Sequence, residues 1–375
     1  MKFKNLADII QNHLTIKGPI TFAQFIEFAL YHKRFGYYSS GKVRIGRSGD
    51  FYTSSSINKA FGETISSFII NALNTTDSDE FSILEIGAGT GHLALDILNS
   101  LQKISEIYKK VDYKIIEISE ILASRAQKLL TPHIGKISFY NNFKSIAKNS
   151  INGVVISNEL FDSLPFHRLK FECGKLFEIF VSYNDNFYEL TDTVSTNELL
   201  DYLKDFDIKF EENQEIEVNL ESGRIFNKIN NLLNQGFVLT IDYGYLADEL
   251  FNPIRPKGTF LCYHKHTVND NPYKNIGEQD ITAHVDFTNL INIGEKLGLK
   301  TLKYTTQGQF LIDWGLLDII NGEEIGERDR RTIKNLFLPN QMGNKFKVLL
   351  QAKNLGDKIQ NFYPESQLNI SHGVT

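Results

Sequence analysis

The chain predicts an α/β fold built on a mostly parallel sheet, and three observations point to it. First, short unbroken apolar runs alternate with helix-patterned segments. The runs are FSILEIG (81–87), YKIIEIS (113–119), ISFYNN (137–142), GVVISNE (153–159) and GFVLTIDYG (236–244). Strands covered by helices on both faces read in this way. Second, a run of glycines joins the first of these strands to an apolar helix, in ILEIGAGTGHLALDIL (83–98). Third, 375 residues of which 42% are apolar can bury a core without disulfides or metal.

Taken in order, residues 1–14 place Phe3, Leu6, Ile10 and Leu14 near helical spacing. This segment has no Arg and carries Asp8, so it reads as a first helix and not as a targeting presequence. Gly18-Pro19 breaks the chain, Thr21 caps a second helix, and Phe22, Phe25, Ile26, Ala29 and Leu30 line one face of it. The stretch 40–56 is rich in Gly and Ser and reads by composition as a surface loop. A further helix buries Phe61, Ile65, Phe68 and Ile69, and TTDSDE (75–80) is a linker. Between the fourth and fifth apolar runs, KLFEIFVSYNDNFYELTD reads as a hairpin turning at Asn184-Asp185, and 196–234 is polar and helix-prone. The expected organisation is therefore an N-terminal helical region at 1–78 and a discontinuous core at 79–169 and 236–355. An α+β subdomain is inserted at 170–235, and a tail occupies 356–375.

Composition excludes several classes. Forty Lys and Arg against 45 Asp and Glu leave a net charge of −5, which disfavours non-specific binding to nucleic acid. Two cysteines, Cys173 and Cys262, make no disulfide framework and no zinc site of the CxxC type. They fit a reducing compartment. No apolar stretch is long enough to predict a membrane span.

The glycine turn carries the most chemistry. A strand ending near Glu85 passes into Gly87, Gly89 and Gly91, where a Cβ would block the turn and keep a ligand from the backbone. Amides at the following helix N-terminus favour an anionic group. A dinucleotide fingerprint needs G-x-G-x-x-G, and here the third position is His92, with the third glycine one residue early. E-x-G-x-G-x-G instead fits S-adenosylmethionine (SAM). Glu117, at the end of the second strand, is placed to accept hydrogen bonds from ribose hydroxyls. The fourth strand delivers SNELFDSLPFHR, so Asn158, Glu159 and Asp162 are expected at the ligand crevice. There is no Asn/Asp-Pro-Pro-aromatic tetrad for a nucleobase, and two acids point to a cationic acceptor.

These blocks together resemble the MidA family of class I SAM-dependent methyltransferases, from about residue 5 to about residue 355. The shared motifs are GPITFAQFIEFALYHKRFGYY, GDFYTSSSINKAFGE, ILEIGAGTGHLALDIL, EIS, SNELFDSLPFHR, IDYG, GEQDITAHVDF and TTQGQFL. Ser54-Ser55-Ser56 replaces a more usual Ala-Pro-Glu, and Thr90 stands where the family's Gly-Pro-Gly-Arg-Gly has arginine. That family includes a mitochondrial complex I assembly factor that methylates an arginine of one subunit. The resemblance implies a Rossmann-like seven-stranded sheet, SAM as cofactor and a protein acceptor akin to a respiratory complex I subunit. It implies that Gly49, Asp50, Phe51 and Thr53 fold over the cofactor, with Glu85, Gly87, Gly89, Gly91, Glu117 and Asn158 holding it.

Glu159 and Asp162 are then expected to grip the guanidinium, with His284 and Asp286 on the opposite wall. His284 and Asp286 are one residue apart on a short extended run and would share a side. His264, His266 and His284 have no recognised ligand spacing, so no metal is expected. Competing readings are a SAM-binding assembly factor with little catalysis and a small-molecule methyltransferase. A nucleic-acid methyltransferase and an NAD oxidoreductase fit less well. The expected location is the bacterial cytoplasm, or the mitochondrial matrix in a eukaryote.

Overall fold

Seven strands make the continuous path of the main sheet, and Val285–Asp286 adds a short eighth beside the end of the fifth: β1 (Phe81–Ile86), β2 (Val111–Ile116), β3 (Ile137–Tyr140), β4 (Ile151–Asn158), β5 (Leu233–Tyr245), β6 (Lys300–Thr306) and β7 (Phe346–Lys353). Their order is β6-β7-β5-β4-β1-β2-β3. Pairing is parallel from β3 through β5 and antiparallel between β6 and β7. All six residues of β1 are buried, as its unbroken apolar run requires. Each of the five runs predicted as strands is one. The computed structural model describes residues 3–41, 54–76, 78, 80–204, 206, 208–323 and 325–362.

One compact unit comprises Thr53–Glu159, Asn227–Asp242 and Gly294–Thr375. Helix α1 (Ala60–Thr75) buries Phe61, Ile65, Phe68 and Ile69, the face expected from its spacing. Helix α2 (His92–Gln102) follows the glycine turn, and α3 (Glu120–Leu129) starts at Ser119, whose hydroxyl caps it by accepting the N–H of Leu122.

The second unit comprises Met1–Tyr52, Leu160–Phe226 and Tyr243–Ile293. Its helix Phe22–Tyr31 opens on a reciprocal capping box between Thr21 and Gln24. The predicted hairpin is present as Lys175–Asn184 and Asn186–Asp192, with Asp185 at φ 60° at its tip. The chain divides differently from the expected insertion at 170–235. Ile20 pairs with Val181, so the N-terminal segment adds a strand to that sheet, and 243–293 belongs to the same unit. Glu215–Val218, inside the stretch read as helix-prone, is a strand paired with His167–Glu172. Arg168 on that partner strand is buried, ion-paired to Glu189 and Glu215, and lies between the rings of Phe22 and Phe260 at 4.8 and 4.7 Å. Carboxylates on both sides compensate the cost of burying its charge.

Candidate functional site

The glycine turn after β1 has the backbone the sequence demands. Gly87, Gly89 and Gly91 have φ of 75°, 57° and 84°, which an L side chain rarely adopts. Gly91 starts α2 with no side-chain cap, so the first amides of that helix are left for another acceptor. Glu117 lies just beyond β2 and is buried. Its Oε2 accepts the N–H of Gly89 and its Oε1 that of Ser119, each at 2.9 Å. A carboxylate has about four lone-pair sites, so these bonds fix Glu117 and leave capacity for hydroxyl donors. Burial raises its pKa, although the backbone bonds act to lower it. Glu85, fully inside β1, accepts the phenol of Tyr113 at 2.8 Å, and burial pushes it up to about 7.

Asn158 ends β4, one residue beyond Ser157, which lies in register with Ile86 of β1. Its Nδ2 donates to Glu159, while its Oδ1 is buried with no partner among the described residues. Glu159 ends the first segment of this unit in a left-handed conformation, φ 52°, and donates its own N–H to the Ile241 carbonyl at 2.9 Å. A non-glycine residue held there is strained, as often occurs at functional sites. Its Oε1 accepts the N–H of Ser54 at 3.1 Å. Gly49, Asp50, Phe51 and Thr53 lie outside the described residues.

The remaining predicted residues belong to the other unit. Asp162 is buried, and its carbonyl accepts the N–H of Ala283 at 3.0 Å. The structure therefore brings the FDSLP segment beside the run that carries His284. Burial raises the pKa of both Tyr38 and Tyr263, and the Asp162 charge adds to it, directly after burial at Tyr263 and behind Asp280 and Tyr31 at Tyr38. Tyr38 donates to Asp280 at 2.9 Å, and Tyr31 to the Ser163 carbonyl at 2.9 Å. The ring of His284 lies 5.2 Å from that of Tyr245, and its backbone N–H donates to Thr259 at 3.0 Å. Asp286 is already engaged. It accepts the Tyr202 phenol at 3.0 Å and the Asn289 N–H at 3.1 Å, capping the helix Phe287–Lys296, and burial pushes it up to about 6.

Tyr31, Tyr38, Tyr263 and Asp280 were not singled out from the sequence. Tyr31 and Tyr38 lie in the quoted GPITF…GYY block and Asp280 in GEQDITAHVDF, while Tyr263 lies outside both. Among the described residues no group of three or more His, Cys, Asp or Glu could hold a metal ion. No helix among them is long and apolar enough to cross a membrane.

The positive-φ glycine turn, the anchored acid after β2 and the orphaned Asn158 oxygen fit SAM. With the strand order, they define the class I fold of SAM-dependent methyltransferases. The chain belongs to the S-adenosyl-L-methionine-dependent methyltransferase family whose model matches residues 64–305. It is 28% identical over 311 residues to the mitochondrial protein arginine methyltransferase NDUFAF7 homolog of Caenorhabditis elegans, covering 76% of this chain and 71% of that one. It is 26% identical to human mitochondrial NDUFAF7, covering 88% and 79%. A protein of Burkholderia thailandensis, solved with S-adenosyl-homocysteine bound, superposes with a TM-score of 0.85 at 25% identity over 96% of both chains.

Proposed function

We propose that this SAM-dependent methyltransferase acts on an arginine guanidinium of a protein, with a respiratory complex I subunit or its bacterial counterpart as the acceptor. What supports the reading most is the pair of acids in SNELFDSLP, Glu159 and Asp162, in a chain whose relatives are named protein arginine methyltransferases.

When bound, SAM supplies a methyl group already activated by its sulfonium. Gly87, Gly89, Gly91, Glu85, Glu117 and Asn158 are the residues assigned to hold it, together with Gly49, Asp50, Phe51 and Thr53. The chain's further task is to hold the nucleophile in line and exclude water. A guanidinium is planar, charged and has a pKa above ~12, so it presents paired donors to carboxylates. Glu159 and Asp162 are assigned to that grip, which also keeps positive charge on the nitrogens not attacked. His284, or one of the acids, accepts the proton that leaves. Asp286 is assigned a positioning role, because Tyr202 and Asn289 already occupy its carboxylate.

The test is transfer from radiolabelled SAM to a recombinant complex I subunit, followed by acid hydrolysis and amino-acid separation. Label in methylarginine supports the reading. Label in another residue, or none with a protein that binds SAM, rejects the arginine assignment or the enzymatic role respectively.

A further inference from the structure

A chain of four hydrogen-bonded residues ends on the unpartnered oxygen of Asn158. Gln307, fully buried at the start of the helix Gln307–Asp313, donates Nε2 to the Leu336 carbonyl at 2.9 Å. That bond fixes its amide, so Oε1 is the atom that accepts the Ser54 hydroxyl, at 2.9 Å. Ser54, also fully buried, then donates its backbone N–H to Oε1 of Glu159 at 3.1 Å. The same oxygen accepts Nδ2 of Asn158 at 3.2 Å. A carboxylate oxygen only accepts, so the Asn158 amide cannot be reversed. Its carbonyl oxygen is left facing away from Glu159, buried and without a hydrogen-bond donor among the described residues. A buried acceptor in that state is unfavourable until a donor arrives.

We infer that Asn158 Oδ1 receives an N–H group of a bound ligand, and that Gln307 and Ser54 are positioning residues that hold it in that orientation through Glu159. Two N–H sources share this chemistry: the ammonium of the SAM amino-acid moiety and the target guanidinium. The inference gives the TTQGQFL block a role, and only its acceptor arm rests on the proposed arginine chemistry.

The experiment compares wild type, Asn158→Leu and Ser54→Ala, with thermal melts to establish that each folds. SAM and 5′-methylthioadenosine, which lacks the amino-acid moiety, are titrated by calorimetry. If the cofactor is the source, Asn158→Leu weakens SAM about tenfold or more and leaves methylthioadenosine unchanged. If the acceptor is the source, SAM affinity is kept and the acceptor KM rises, or kcat falls, by a similar factor. Ser54→Ala weakens the same ligand by about threefold, because the bond it removes acts at one remove. Unchanged binding and kinetics in Asn158→Leu would overturn the inference, and an effect there with none in Ser54→Ala would overturn the relay. The SAM titrations need no acceptor, so a wrong acceptor assignment does not disturb them.

Discussion

The amide of Gly89 donates to Oε2 of Glu117 at 2.9 Å, which ties the turn after β1 to the acid after β2. Two features that sequence reasoning treats as separate ligands are thus one structure. Glu117 shapes the glycine turn as well as being the acid assigned to the ribose.

Glu117→Ala is therefore expected to lose more SAM affinity than a hydroxyl contact alone explains, by about a hundredfold or more, since charged-group hydrogen bonds are worth about 1.5–3 kcal/mol each. Because burial raises the Glu117 pKa, affinity in the wild type should fall as pH drops through that raised value and the carboxylate gains a proton. Calorimetric titration across pH checks both. An affinity in Glu117→Ala equal to wild type contradicts the assignment.

Gly91 tests the turn without touching a ligand-facing side chain. Its φ is 84°, and a Cβ built on it would sit 3.0 Å from Cβ of Ala126. Gly91→Ala should cost about 1–2 kcal/mol for the left-handed backbone alone, read by urea denaturation of the apoprotein. An unchanged midpoint would mean that the turn relaxes freely.

Glu85 makes stability depend on pH. Its folded pKa, about 7, stands above the ordinary 4.5, so the folded chain binds the extra proton between those values. The corresponding stability is present below about pH 4.5 and is lost as pH rises through about 7, amounting to about 3 kcal/mol for this one group. Glu85→Gln keeps an acceptor for Tyr113 and removes the titration. The difference in unfolding free energy between wild type and variant should therefore change with pH in that window. Parallel curves would contradict the account.

The core was legible because its strands are buried on both faces, where period and composition agree. Phe81–Ile86 and Ile151–Asn158 stand where their apolar runs predicted. Glu215–Val218 was not legible. Its two glutamates look solvent-facing, yet Glu215 is buried against Arg168 and Glu217 against the amides of Thr259 and Phe260. Those partners are distant in sequence, so no local pattern announces them. The unit boundaries were hidden for the same reason, since Ile20 meets Val181 only in the folded sheet. At the site, glycine spacing and strand-end acids were readable one by one. That Asp286 is occupied by Tyr202, and that Ser54 links Gln307 to Glu159, depends on side chains brought together by the fold.

The most direct test of the proposed chemistry is Glu159→Gln, assayed for SAM binding and for methyl transfer to the arginine-bearing subunit. An amide oxygen can still accept both the Ser54 N–H and Nδ2 of Asn158, so SAM affinity should stay within about threefold of wild type, while turnover falls by about a hundredfold or more with the loss of a charged partner for the guanidinium. Wild-type turnover in this variant would contradict the carboxylate grip.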